Sequence, residues 1–185
     1  MRNVIKWALP FTTVILLTAC GGNKNAEAKG DGHESHNEAT APTPPAAQAQ
    51  NAAIKDENLN AVYQHYVHLR TALTNGDVAE AKVASNAIEA GAQQMQGASS
   101  IAATAAKITA APDIEAQRTA FSTMSNAMIE LVKKSGLNSG ELYVEFCPMA
   151  FDDKGGFWLS SEKEIRNPYF GDKMLECGEV KETIK

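Results

Sequence analysis

Four sulfur atoms near the C-terminal end carry the most specific chemistry in this 185-residue chain: Cys147 and Met149 flank a proline in Cys147-Pro148-Met149, and Met174-Leu175-Glu176-Cys177 again places a thioether beside a thiol. Thiolates and thioethers are soft, polarisable donors that suit Cu(I) or Ag(I), whereas Mg, Ca and Mn take carboxylate oxygen. Two thiolates with one or two thioethers would complete a three- or four-coordinate Cu(I) site. Pro148 fixes its own φ and removes a donor N–H, so the Cys-Pro-Met turn is a stiff mount. Zinc fits less well, because a closed zinc site takes four Cys or His ligands, usually opening with Cys-x-x-Cys. The same thiols have a second use. In an oxidising compartment the cysteines of a small domain are commonly bridged, and closing the Cys147–Cys177 loop is worth roughly 3.5 to 4 kcal/mol in the chain-entropy model. Sulfurs in a bridge supply no thiolates, so the two readings exclude each other in any one molecule, although a redox switch visits both. The residues alone leave both open.

These donors must be positioned by residues 137–185. Leu142, Val144 and Phe146 alternate with Tyr143, Glu145 and Cys147, the pattern of a half-buried strand. Asp152-Asp153-Lys154-Gly155-Gly156 is turn chemistry, and Phe157-Trp158-Leu159 returns as the partner strand of a β-hairpin. Ser161 to Glu164 reads as a single capped helical turn ended by Asn167-Pro168, and Gly171 leads into an irregular Cys/Met-containing tail. Upstream, Leu59, Val62, Tyr63, Tyr66, Val67 and Leu73 follow the 3.6-residue period, with Arg70 at the edge of the stripe. Asn75-Gly76 ends that helix. Asp77 caps a second one running to about Met95, with Glu80 placed to return the hydrogen bond. A third, alanine-rich helix covers 101–110, and a fourth runs from Asp113 to Gly136. The expected fold class is therefore mainly α: an up-and-down bundle of about four helices with a small C-terminal hairpin.

The N-terminal end has a different composition. Arg2 and Lys6 precede an apolar run too short to span a bilayer, and Leu17-Thr18-Ala19-Cys20-Gly21 looks like the bacterial lipobox. This reading makes 1–19 a lipoprotein signal peptide and Cys20 an N-terminal cysteine carrying diacylglycerol and a further acyl chain such as palmitate, an anchor in the membrane rather than a span across it. Residues 20–56 then form a tether poor in apolar residues, and 57–185 one periplasmic domain, divided into the bundle (57–136) and the hairpin with its tail (137–185). Gly21-Gly22 after the cysteine favours the outer membrane, facing the periplasm. Losing 19 residues with two cations and no acid takes the formal charge from −5 to −7, which disfavours nucleic acid, a ligand that needs a basic footprint.

Other chemistry is thin. His33 and His36 in the tether, and His65 and His68 one turn apart on the first helix, are read as solvated side chains, with a weak metal site as the lesser alternative. Met95, Met124 and Met128 fall on apolar helical faces and are assigned to the core. No Gly-x-Ser-x-Gly elbow, phosphate loop or His-Glu-x-x-His is present, so an enzyme is not expected.

The runs 143–150 (Tyr-Val-Glu-Phe-Cys-Pro-Met-Ala), 157–160 (Phe-Trp-Leu-Ser) and 164–178 (Glu-Ile-Arg-Asn-Pro-Tyr-Phe-Gly-Asp-Lys-Met-Leu-Glu-Cys-Gly) resemble the C-terminal signature of a bacterial periplasmic family, the domain of unknown function 3347. The resemblance extends over roughly Leu59 to Glu182. The family occurs as lipoproteins and at the C-terminus of CusB-type copper/silver efflux adaptors, which implies periplasmic exposure and an association with heavy-metal handling. Cys147, Met149, Met174 and Cys177 all fall on the signature. The chain lacks the adaptor's hairpin, lipoyl and barrel segments, so it is not itself a pump adaptor. The resulting expectation is a membrane-anchored protein that binds Cu(I) or Ag(I) through those four residues and buffers it or hands it to an efflux system, with Tyr143, Trp158, Tyr169 and Phe170 walling the site. The alternative is a non-enzymatic interaction module stapled by Cys147–Cys177.

Overall fold

The computed structural model describes residues 52–185. Helix α1 (Glu57–Thr74) starts at Asp56, whose carboxylate accepts from Leu59 N at 2.9 Å, and buries Leu59, Val62, Tyr63, Tyr66, Leu69 and Leu73 along one face. Asp77 and Asp113 cap α2 (Val78–Ala92) and α4 (Ile114–Ser135) in the same way, each accepting a backbone N–H at 2.9 Å. Three orphan-donor ends are thus satisfied by an aspartate one residue before the helix. Helix α3 (Ser99–Ala110) has no side-chain cap. Each helix packs on the next in sequence and α4 closes against α1, so the fold is mainly helical, as expected. Close approach is achieved with small residues: Ala81, Ala84, Ala92 and Ala105 are buried, and a Cβ on Gly91 would sit 2.7 Å from the Val62 side chain. Met124 and Met128 are fully buried and Met95 packs against the same core, as expected of gap-filling thioethers. Among the described residues no helix is long and apolar enough to cross a membrane.

Gly136, at φ +77, ends α4 and starts the β part. Strand β1 (Ala53–Ile54) pairs antiparallel with β2 (Leu137–Ser139), and Ile54 is buried, so ordered structure reaches back into the stretch assigned to the tether. The hairpin forms as expected from β3 (Leu142–Cys147) and β4 (Gly156–Ser160), with Glu145 opposite Trp158 and Cys147 opposite Gly156. Three expectations need correction. Strand β3 is not half-buried: it is the centre of a sheet ordered β4-β3-β5, and every residue but Phe146 is buried. The tail does not stay irregular, since Glu179–Ile184 forms β5 along the other edge of β3, with a bulge between Val144 and Glu145. Ser161 to Glu164 bend without a helical turn, because Ser160 Oγ rather than Ser161 accepts the local N–H, from Glu162.

The turn joining β3 to β4 is left-handed. Phe151, Asp152 and Asp153 have φ of 57°, 56° and 62°, a run that L-residues adopt at about 1–2 kcal/mol each. Phe151 offsets part of this by placing its ring edge-on to Tyr169 at 5.1 Å.

Candidate functional site: the paired thiols

Cys147 is the last residue of β3, and its depth is set by what lies opposite. Gly156, its cross-strand partner, leaves a gap that the Tyr169 ring fills, since a Cβ on Gly156 would lie 2.6 Å from that ring. Tyr169 in turn packs at a tilt against Phe121 of α4 and edge-on to Trp158, and its hydroxyl donates to the Phe157 carbonyl. Cys147 is therefore fully buried under aromatic rings.

Cys177 arrives from the opposite direction, on the segment between a 3-10 turn (Gly171–Lys173) and β5. Asn167, wholly buried, ties this segment down: its side-chain oxygen accepts from Tyr169 N at 2.8 Å and Phe170 N at 3.3 Å, and its amide donates to the Cys177 carbonyl at 2.7 Å. Arg118, also buried, fixes the same loop to the bundle by donating to the carbonyls of Pro168 at 2.9 Å and Leu73 at 3.0 Å.

The two sulfurs meet at 3.1 Å as free thiols, Cys147 enclosed and Cys177 half-buried. The hydrogen bond with Cys147, followed by burial, pushes the Cys177 thiol up to about 11. The separation lies between two bonded states. A disulfide needs about 2.05 Å; two sulfurs on one tetrahedral metal, at about 2.3 Å from it, stand roughly 3.7 Å apart.

The thioethers are placed differently. Met174 shares a turn with Cys177, whose N–H donates to the Met174 carbonyl at 3.1 Å. Met149 is 48 % exposed and lines a surface cavity of about 370 Å³ with Phe151, Asp152, Arg118 and Tyr169, a lining that includes neither cysteine. Of the expected walls, Tyr169 lies across from Cys147 against Gly156, and Trp158 packs edge-on to Tyr169 and beside Gly178, while Tyr143 lies at the far end of β3 and donates to Glu141 at 2.9 Å. Phe170 is half-buried beside Arg118. His65 and His68 are exposed; His68 Nε2 meets Glu80 at 2.8 Å, so that carboxylate is engaged by α1, and Asp77 N–H donates instead to the Ala72 carbonyl. Among the described residues no group of three or more His, Cys, Asp or Glu side chains is placed to share an ion. Cys20, His33 and His36, and the signal peptide, lie outside the described residues.

One buried group was not singled out from the sequence. Glu145 has no exposed surface and shares a sheet face with Cys147 two residues on. Burial pushes its carboxyl up to about 8, against the lowering influence of Arg70 and Trp158. Neither of its oxygens, nor Tyr63 Oη, nor Trp158 Nε1 has a hydrogen-bond partner among the described residues. Arg70, expected at the edge of α1, is itself buried.

A family model described as Protein of unknown function (DUF3347) matches residues 62–140, which run from within α1 to just past β2 and stop before Cys147. No curated protein and no solved structure matches the chain.

Proposed function

We propose that this chain, in which residues 62–140 match the domain of unknown function 3347, is a lipoprotein anchored through Cys20 in the outer membrane, carrying Cu(I) or Ag(I) as cargo between the thiols of Cys147 and Cys177. The observation that supports this most is the 3.1 Å approach of two free sulfurs supplied by separate elements, a strand end and a pinned loop. Parting by roughly half an ångström fits both sulfurs to a shared ion. Met174, in the same turn as Cys177, is the thioether next in line. Met149 would join only by moving from the cavity it lines, and it suits an entry or exit contact at the surface. Handover to an efflux complex proceeds by exchange of one soft ligand for another.

Binding requires both thiols to ionise, so each ion displaces protons and affinity rises with pH. With the Cys177 thiol held up to about 11, this dependence extends across the whole neutral range. The test is an anaerobic Cu(I) titration of the reduced chain beside Cys147→Ser and Met174→Leu. Cys147→Ser should abolish tight binding and Met174→Leu should weaken it. Unchanged affinity in both would remove the proposed ligands.

The second reading, a disulfide-stapled interaction module, rests on the same distance, since closing by about 1 Å makes the bridge. Phe157, 36 % exposed, and the Phe146 ring 4.4 Å from it would then be part of a docking face. Mass spectrometry of protein taken from the envelope, with and without reductant, separates the two: a fixed bridge supports docking.

A further inference from the structure

We infer that Asn167 is the residue that positions the Cys177 thiol against Cys147, an inference that rests on the paired-thiol reading above. The Cys147 half of the pair is fixed by strand register, because β3 is hydrogen-bonded on both sides. The Cys177 half is not. Residues 174–178 have no regular structure, and among the described residues the one side-chain donor to their backbone is Asn167.

Asn167 is tied to this segment along its whole length. Its own N–H donates to the Leu175 carbonyl at 2.8 Å, its carbonyl accepts from Gly171 N at 3.0 Å, and its amide reaches the Cys177 carbonyl at 2.7 Å. Its side-chain oxygen closes the turn at Tyr169 and Phe170. A buried amide with three of its four bonding positions used cannot rotate without leaving a donor or acceptor unpaired. The Cys177 carbonyl is therefore held at a set height above β3, and with it the thiol. At the other end of the segment Gly178 adopts φ +152, where a Cβ would stand 2.9 Å from the Trp158 ring, so the chain has little room to relax away.

The experiment measures how readily the two thiols join. The full reduced chain is equilibrated with glutathione buffers, in which Cys147–SH, Cys177–SH and one glutathione disulfide give the Cys147–Cys177 disulfide and two glutathione thiols. Asn167→Ser keeps an acceptor for the turn but is too short to reach the Cys177 carbonyl. It should lower the ring-closure constant about tenfold, a shift of about 30 mV for this two-electron couple. Asp77→Ala removes the cap bond to Glu80 N–H at the start of α2, outside both the loop and the thiol pair, and so weakens the fold without touching Cys177. It should lower the thermal midpoint yet leave that constant within twofold of the parent. A constant within twofold of the parent in Asn167→Ser would overturn the inference, as would an equal shift in Asp77→Ala at an equal loss of thermal midpoint. Should Asn167→Ser not fold, Asn167→Asp, of the same shape but without the donor, is judged by the same outcomes. An Ag(I) titration of the parent chain runs alongside: failure to take up Ag(I) through its thiols removes the cargo reading, while the glutathione result still judges Asn167.

Discussion

Replacing Glu145 with Gln should flatten the pH dependence of stability. The carboxyl ionises near 4.5 in the unfolded chain and near 8 in the folded protein, because burial penalises the charged form. A raised folded-state value means that the contribution of this group to stability is fully present below pH 4.5 and is lost as pH rises towards 8. Each pH unit in that window removes about 1.4 kcal/mol, so the loss reaches about 3 kcal/mol at pH 7 and levels off near 5 kcal/mol, as a ceiling. Gln presents a similar shape and no charge. The absolute stability of Glu145→Gln depends on how its amide is accommodated among Trp158, Tyr63 and Arg70, so the quantity to read is the difference between the two proteins as pH changes. Calorimetry of reduced, metal-free protein from pH 4.5 to 8.5 should show the thermal midpoint of the variant gaining on the parent by up to about 10 °C, at roughly 3 °C per kcal/mol for a domain of this size. Parallel midpoint curves across that range would refute the assignment of a buried, neutral carboxyl at position 145.

Gly91→Ala should destabilise by about 1–3 kcal/mol despite alanine's better helix propensity, because its Cβ would stand 2.7 Å from a stiff valine on α1. Val62→Ala in the same chain should recover part of the loss, as read by urea denaturation. Iodoacetamide should label Cys177 before Cys147, and slowly, since its thiol is held up to about 11. Cys147→Ala, which deletes the hydrogen bond mainly responsible, should speed that labelling in a stopped time course analysed by peptide mass. Asp113→Ala should cost about 1 kcal/mol through the lost cap on Ala116 N–H, in thermal unfolding at neutral pH.

What was legible in the sequence and what was not divides by range. The helix starts at Asp77 and Asp113 and the stops at Asn75-Gly76 and Gly136 are local signals, each a side chain or a positive φ acting within one turn, and all appear where they were read; the equally local cap at Asp56 was not read. Strand β5 carries Glu179, Lys181 and Glu182 on an exposed edge, so it lacks the alternation that would betray it. Its presence is what buries β3 on both sides, and so the inward placement of Glu145 was equally hidden. Asn167 shows the same limit from the other side. An asparagine before a proline reads as the end of a helical turn, because the oxygen that accepts a local N–H is the same in a helix stop and in a buried hub. Only the amide, reaching ten residues ahead to Cys177, distinguishes them, and nothing near position 167 in the sequence announces it. The thiol pair is the product of two such facts: Gly156 across from Cys147 admits the Tyr169 ring that covers one sulfur, and Asn167 sets the height of the other. Each residue is visible as a type, but their meeting at 3.1 Å belongs to the tertiary structure. The family-model match ends at residue 140, so it covers the bundle that supports the pair and not the pair itself, and the chemistry of the tail stands on its geometry.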